Sequence, residues 1–416
     1  MVWWHTRSES DPTTNDELLT RTVAPLLSLD DLDLAGKRVL TRVDFNVPIE
    51  DGEVGDDTRI REALPTIRHI LDEGGRPILM SHLGRPKGAP DPKYSLRPVA
   101  RRLEELLGSP VFFCQATVGP EAQTCIAGAP AGAVVLLENT RFLPGETAND
   151  EALARQMAAM ADVFVSDAFG SVHRAHASTV GVARYAPATA AGLLLERELD
   201  FLSRALERPE RPFVAVIGGA KVSDKLAVIE ALLEKADRLL VGGAMAYTFL
   251  RARGEATGTS LVEEDRLDWA RGVLKAEGGR IELPDDHVVA DRLADDAVPE
   301  IADGNIPDGR MGLDIGPETR RRYADIVAGA RTVIWNGPMG VFEVDAFAGG
   351  TRAVAQAMAR ATEAGALTIV GGGDSVAAIT EADLAGAVSH VSTGGGAMLE
   401  FVEGNSLPGV AVLEQR

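Results

Sequence analysis

Two doubly wound α/β domains, each built on a parallel sheet in the Rossmann manner and joined by a hinge helix, are what this sequence predicts. Three observations lead there. From Lys37 onward, short runs rich in β-branched residues alternate with longer amphipathic stretches, and that alternation means parallel strands with helices on both faces. The chain has 416 residues, too many for one core, because single cores stop growing at ~250–300 residues. Glycines and charged residues fall just past the ends of the apolar runs, where open parallel sheets bind ligands.

Taken in order, residues 1–27 are polar and mixed, with a weak helical patch over 17–27, and read as an extension. A first domain over 28–193 offers strands at 38–43, 77–81, 134–138 and 163–166, with helices at 59–71, 97–107 and 150–160. An amphipathic helix at 193–206 runs into Arg208-Pro209-Glu210-Arg211-Pro212, and the interdomain segment is set at 194–207. A long helix ending in a proline-flanked turn before a fresh buried strand is how a connector between domains reads. The second domain, 208–405, offers strands at 213–217, 238–241, 332–335, 367–370 and 388–391. Its helices are expected at 224–235, 317–328, 351–363 and 397–403.

Composition narrows the class of partner. Hydrophobic residues make up 45% and charged residues 25%, ordinary values for a globular chain. Lys and Arg number 42 against 62 Asp and Glu, a formal charge of −20. Nucleic acid and anionic membrane are therefore poor partners, and an anionic substrate requires cations gathered locally. Cys114 and Cys125 form no disulfide framework or zinc pattern and read as thiols in a reducing compartment. Residues 1–10 lack the apolar stretch of a secretory signal. The most apolar window, 122–137, is short and broken by Gly128, Pro130 and Gly132. A soluble, cytoplasmic protein is expected, and a monomer.

The strand ends differ between the halves. In the first they carry Asp44 and Asn46, then His82 and Arg85, then Arg141, then Asp167 and Arg174, with Arg59 opening the first helix. Arginine binds carboxylate and phosphate bidentately, so this set suits a small polyanion. In the second half they carry Gly218-Gly219, Gly242-Gly243, Asn336-Gly337-Pro338, Gly371-Gly372-Gly373-Asp374-Ser375 and Gly394-Gly395-Gly396. Glycine loops between strand and helix expose backbone N–H groups to phosphate. Lys221 and Lys225, two of only seven lysines, follow the first of these loops. At i and i+4 they are expected to share the face of a helix start, a placement that favours a bound anion. Asp374 within a glycine run can hold Mg²⁺ beside phosphate, or it and Ser375 can cap the next helix. Neither a dinucleotide fingerprint nor a Walker loop is present.

These segments resemble the phosphoglycerate kinase family. The likeness lies in Arg42-Val43-Asp44-Phe45-Asn46-Val47-Pro48, Ser81-His82-Leu83-Gly84-Arg85-Pro86, Glu138-Asn139-Thr140-Arg141-Phe142 and His173-Arg174-Ala175-His176. It continues in Gly218-Gly219-Ala220-Lys221-Val222-Ser223-Asp224-Lys225, Trp335-Asn336-Gly337-Pro338-Met339-Gly340-Val341-Phe342-Glu343 and the glycine runs at 371–375 and 394–396. The resemblance implies that the first domain binds 3-phosphoglycerate through Asp44, Phe45, Asn46, Arg59, His82, Leu83, Gly84, Arg85, Arg141 and Arg174. It implies that the second binds Mg-ATP or Mg-ADP through Gly218, Lys225, Gly242, Gly312, Asn336, Glu343 and Gly372, Gly373, Asp374 and Ser375, with Asp374 toward the metal. Arg59, Lys221 and Lys225 would act on the transferring phosphoryl group, and a C-terminal tail over 406–416 would return to the first domain. Ser375 stands where the family usually has Thr, keeping the hydroxyl. Glu318 stands where a basic residue is common, which shifts the nucleotide-side potential. Residues 1–27 have no counterpart.

The chemistry so implied is reversible transfer of the ATP γ-phosphoryl to the carboxylate of 3-phosphoglycerate. That nucleophile is already ionised, with an α-carboxyl-like pKa of ~3.5, so no general base is needed. Positioning and charge stabilisation must do the catalysis. His82 is the ligand expected to titrate near neutrality. Two other readings stay open: a two-domain nucleotide-sugar glycosyltransferase, and a scaffold that binds nucleotide without turnover.

Overall fold

The computed structural model describes residues 26–414. The extension expected over 1–27, with its helical patch, lies outside the described residues apart from Leu26 and Leu27. In the first lobe the strands are β1 (Arg38–Val43), the hairpin β2 (Ile49–Glu50) and β3 (Glu53–Val54), β4 (Arg76–Met80), β5 (Val111–Phe113), β6 (Val134–Leu136), β7 (Val163–Asp167) and β8 (Thr189–Ala191). Its helices are α1 (Thr58–Asp72), α2 (Arg97–Leu107), α3 (Gly119–Gly128), α4 (Glu151–Ala158) and α5 (Val182–Tyr185). Helix α6 (Leu193–Glu207) follows.

The second lobe contains β9 (Phe213–Ile217), β10 (Arg238–Val241), β11 (Ile281–Glu282), β12 (Asp286–Ala290), β13 (Glu300–Asp303), β14 (Met311–Ile315), β15 (Thr332–Asn336), β16 (Leu367–Gly371) and β17 (His390–Val391). Its helices are α7 (Leu226–Lys235), α8 (Met245–Arg253), α9 (Leu267–Glu277), α10 (Pro317–Ala328), α11 (Gly349–Glu363), α12 (Gly373–Glu381) and α13 (Gly395–Val402), and α14 (Pro408–Glu414) ends the described chain.

The two main sheets have parallel pairings throughout, in the orders β5-β6-β4-β1-β7-β8 and β11-β10-β9-β15-β16-β17. In each, the first strand of the lobe lies centrally, with neighbours that wind away on either side, so the switch point falls at the ends of β1 and β9. The central strands are buried on both faces: every residue of β7, β9 and β15 is buried, as parallel sheets require. A third sheet, β13-β12-β14, is antiparallel and had not been expected. Its strands begin with Asp286 and Glu300 and hold a buried His287, which hides the apolar signal.

Helix α6 packs on α1 and β7 of the first lobe and on β15, β16 and α13 of the second. Its N-terminus is capped by the buried carboxylate of Asp167, whose Oδ1 accepts from Leu194 N at 2.9 Å and Leu195 N at 3.2 Å. Halfway along, the fully buried Glu198 reaches into the second lobe, accepting from Thr393 N at 2.7 Å and Thr393 Oγ1 at 2.8 Å and meeting His390 Nε2 at 2.7 Å. Helix α14 returns to the first lobe, packing on α5 and β8, with Gly409 N donating to Val172 O at 2.8 Å. Both cysteines are free.

Candidate active site

Beyond β1, β4, β6 and β7, the first lobe encloses a cleft of about 220 Å³. It is lined by Asp44, Asn46, Arg59, His82, Gly84, Arg85, Arg141 and Arg174, and also by Gly170, Ser171, His173 and His176. Phe45 and Leu83, expected among the binding residues, are not on this surface; their side chains lie in the core between sheet and α1. What they supply is backbone: Phe45 N donates to Ser81 Oγ at 2.8 Å, and Leu83 N to Asn139 Oδ1 at 3.2 Å. Asn139 returns two bonds, from Nδ2 to Leu83 O at 2.8 Å and to Tyr94 O at 2.9 Å. Asn46 Oδ1 accepts from Gly84 N at 2.8 Å, and Arg141 Nη1 donates to Gly84 O at 2.5 Å. The walls are thus laced to each other before any ligand arrives.

The charges in the cleft are uneven. Asp44 is its only carboxylate among the lining residues, and Arg59 Nη1 stands 3.3 Å from it. Burial opposes ionisation of Asp44, but the His82 ring, Arg59, Arg42 and the Asn46 N–H together outweigh it and hold the carboxyl below its ordinary range. Among the described residues Arg85, Arg141 and Arg174 have no carboxylate partner within ion-pair distance, whereas most surface arginines of this acidic chain do. Arg59 also donates from Nη1 to Asn46 O at 3.0 Å and from Nη2 to Thr393 O at 3.4 Å. It therefore touches the loop after β17, at the edge of the other lobe.

His82 departs from expectation. Burial pushes its pKa down to about 3, helped by Arg42, Arg141 and Arg59 and only partly opposed by Asp44. The ring is neutral at physiological pH and does not titrate near neutrality. The fully buried Arg42, within the motif but not expected to matter, stands 3.0 Å from His82 Nδ1.

In the second lobe, glycine loops gather at the ends of β9, β10, β15 and β16 with little space between them. A Cβ on Gly218 would lie 2.0 Å from Pro338 O, and one on Gly337, at φ 102°, would lie 2.2 Å from Gly218 O. One on Gly242 would meet Met339 Sδ at 2.4 Å, and one on Gly312 would meet Tyr247 Oη at 2.1 Å. Glu343 is exposed on the loop between β15 and α11. Gly372 has φ 89°, and a Cβ there would crowd the side-chain nitrogen of Asn336 at 2.9 Å. That nitrogen is buried and has no hydrogen-bond partner.

The lysine pair is not arranged as the spacing suggested. Helix α7 begins only at Leu226, so Lys221 lies in the preceding loop and Lys225 is the N-cap residue. Lys225 Nζ folds back to donate to Asn336 Oδ1 at 2.7 Å, Gly218 O at 2.8 Å and Asn336 O at 3.0 Å. Burial lowers its pKa to about 8 against the pull of Asp374 and Asp224. Lys221 stays exposed. Ser375 Oγ is buried and accepts from Gly337 N at 2.5 Å, tying one glycine loop to α12. Asp374 and Gly373 sit exposed in the first turn of that helix. Glu318 opens α10 and pairs with Arg321 at 3.3 Å. Among the described residues no cluster of three or more His, Cys, Asp or Glu could by itself hold a metal, so Asp374 fits a cation only if phosphate and water complete its shell.

Comparisons with known proteins point to one family. The family model described as phosphoglycerate kinase matches residues 29–405. A phosphoglycerate kinase of Rubrobacter xylanophilus is 59% identical over 390 residues, covering 94% of this chain and 98% of the relative. One from Salinibacter ruber is 57% identical, covering 93% and 98%. The solved phosphoglycerate kinase structure from Coxiella burnetii aligns with a TM-score of 0.84 at 44% identity, over 94% of this chain and all of that one. That from Pyrococcus horikoshii OT3 aligns at 0.82 and 33% identity, over 93% and 98%.

Proposed function

Because the chain belongs to the phosphoglycerate kinase family, we propose an assignment of its residues to that family's reaction. It is a phosphotransferase of glycolysis, carrying a phosphoryl group between a nucleoside triphosphate and the carboxylate of 3-phosphoglycerate. The observation that supports our assignment most is the cleft of the first lobe: arginines without carboxylate partners, in a chain whose formal charge is −20.

Arg85, Arg141 and Arg174 bind the phosphate end of 3-phosphoglycerate, with Asp44 and Asn46 accepting from its hydroxyl and Arg59 directed to its carboxylate. Gly218, Lys225, Gly242, Gly312, Asn336, Glu343 and the 372–375 loop hold ATP or ADP. The unpartnered nitrogen of Asn336 and the missing Cβ of Gly372 suit a phosphate oxygen at that point. Mg²⁺ arrives as part of the nucleotide, and Asp374 is the residue that would hold it; the ion supplies charge neutralisation of the phosphates. Lys221 and Arg59 stabilise the charge of the transferring group. The attacking carboxylate is already ionised, so the protein moves no proton. Reaction between ligands held on separate lobes needs the lobes to close about α6, which excludes water. We place the enzyme in the cytoplasm as a monomer; among the described residues no helix is long and apolar enough to cross a membrane.

An assay with ATP, Mg²⁺ and 3-phosphoglycerate, coupled to consumption of the acyl phosphate, tests the reading. Turnover is expected; nucleotide binding without turnover, or activity on a sugar nucleotide instead, would overturn it.

A further inference from the structure

Arginine has donors but no acceptor. Wherever its guanidinium approaches a histidine nitrogen, that nitrogen must carry the lone pair. Arg42 Nη2 stands 3.0 Å from His82 Nδ1, so the ring proton is on Nε2. Arg42 has little freedom to do anything else: it is 1% exposed and also donates to Val43 O and to Ser178 Oγ at 2.9 Å. Ser178 in turn donates from Oγ to Glu146 Oε1 at 2.5 Å and from its N to Glu146 Oε2 at 3.0 Å, and Glu146 is fully buried. A buried carboxylate, a serine and an arginine therefore form a line that ends on His82.

The remaining face of His82 lines the cleft, and among the described residues no hydrogen bond involves its Nε2. The charged groups facing the ring are Arg42 from β1, Arg59 from α1, Arg141 from the loop after β6, and Asp44, whose Oδ1 is 4.0 Å from Nδ1. Burial, reinforced by three cations against one anion, keeps the ring from taking a proton. We propose that Arg42 is a positioning residue: it fixes His82 as the neutral Nε2–H tautomer, so that the imidazole presents one N–H donor to the bound phosphoglycerate. This rests on the assignment of the cleft to 3-phosphoglycerate. A histidine locked in this way adds a directional donor whose strength does not change with pH, and it leaves the net positive charge to the arginines.

The tautomer can be read on the free enzyme by long-range ¹H–¹⁵N correlation of a histidine-labelled chain, with His82→Gln assigning the signal. A single Nε2–H form, unchanged from pH 5.5 to pH 8, is expected; an Nδ1–H form, or a ring that protonates near pH 6, overturns the proposal. Arg42→Met removes the donor and Arg42→Gln keeps an amide that can supply it. The Met variant is expected to show a mixed tautomer and a KM for 3-phosphoglycerate raised about tenfold, with kcat less affected. The Gln variant should recover most of both. Equal kinetic losses in the two variants with the tautomer intact would make Arg42 merely structural. If Arg42→Met does not fold, the wild-type spectrum decides alone. A wild-type enzyme that fails to phosphorylate 3-phosphoglycerate would sink the functional reading and leave the tautomer measurement standing.

Discussion

On the proposed assignment, the two lobes bind anions by opposite means. In the first, long side chains project into a cleft of about 220 Å³, and our assignment gives recognition to its lining residues Arg59, Arg85, Arg141 and Arg174. In the second, side chains are withheld: Gly218, Gly337 and Gly372 bring the main chain so close that a single added carbon would strike a neighbour within 3 Å. Guanidinium groups discriminate by number and fork geometry, and suit a small ligand with charges at both ends. Bare backbone amides follow a phosphate chain without contributing net charge. One lobe should therefore fail when atoms are removed and the other when atoms are added.

The largest effect is expected at the two cations assigned to the transferring group. Arg59→Ala and Lys221→Ala should each lower kcat by ~10²–10³ with little change in either KM, the loss typical of one donor to a transition-state charge. Steady-state rates with each substrate varied will show it, and near-normal kcat in either variant removes that residue from the transfer step. Adding atoms comes next. Gly337→Ala puts a Cβ 2.2 Å from Gly218 O at φ 102°, a strain of about 1–3 kcal/mol. Nucleotide affinity by calorimetry should fall at least tenfold while phosphoglycerate binding is kept; the reverse pattern would break the contrast between lobes.

Trimming the fork without losing charge should do less. Arg85→Lys keeps one cation but not the bidentate geometry, and a KM for 3-phosphoglycerate raised several-fold, with nucleotide KM unchanged, is expected from initial rates. Acid should act on the first lobe as well. The folded-state pKa of His82 is about 3, below the ~6.5 of an unfolded chain. Its contribution to stability is therefore complete above pH 6.5 and is lost as pH falls toward 3, at up to ~1.4 kcal/mol per unit. Asp167 works the other way: burial raises its pKa to about 7, so its ionisation weakens the fold as pH rises from about 4 to 7. Urea midpoints between pH 4 and 7 of the wild type and of His82→Gln should converge as pH falls; parallel curves would mean that the ring protonates freely. The smallest signal is closure. Small-angle scattering should show a slight contraction only with Mg-nucleotide and phosphoglycerate together, and none with either alone.

Much of this was legible in the residues themselves. Strands Phe213–Ile217 and Arg238–Val241 match expectation residue for residue, because buried strand residues read as an apolar run, preceded in the second by an exposed Arg238. Helices Arg97–Leu107 and Pro317–Ala328 match too, each marked by a proline in its first turn. Strands such as Val111–Phe113, three residues at a sheet edge, give too little pattern to detect. The arginine cleft was legible because its members lie at strand ends, and fold class alone places those ends together. The protonation of His82 was not: it is set first by burial and then by Arg42, Arg141 and Arg59, which converge from three separate segments. Nor was the course of Lys225, which depends on two carbonyls of loops more than a hundred residues apart. Spacing indicates which residues share an element, but charge states are properties of the assembled surroundings.

The chain passes between the lobes twice, first along α6 and again through residues 403–407 before α14 settles against Val172. A body attached to another at one point can swivel in any direction; attached at two, it can only turn about the line that joins them. If the lobes close as proposed, the approach of the two bound ligands would thereby be narrowed toward an arc. Far fewer orientations must be searched than if the lobes were strung on one tether, and that restriction is itself a share of the entropy a bimolecular encounter would otherwise lose at every turnover.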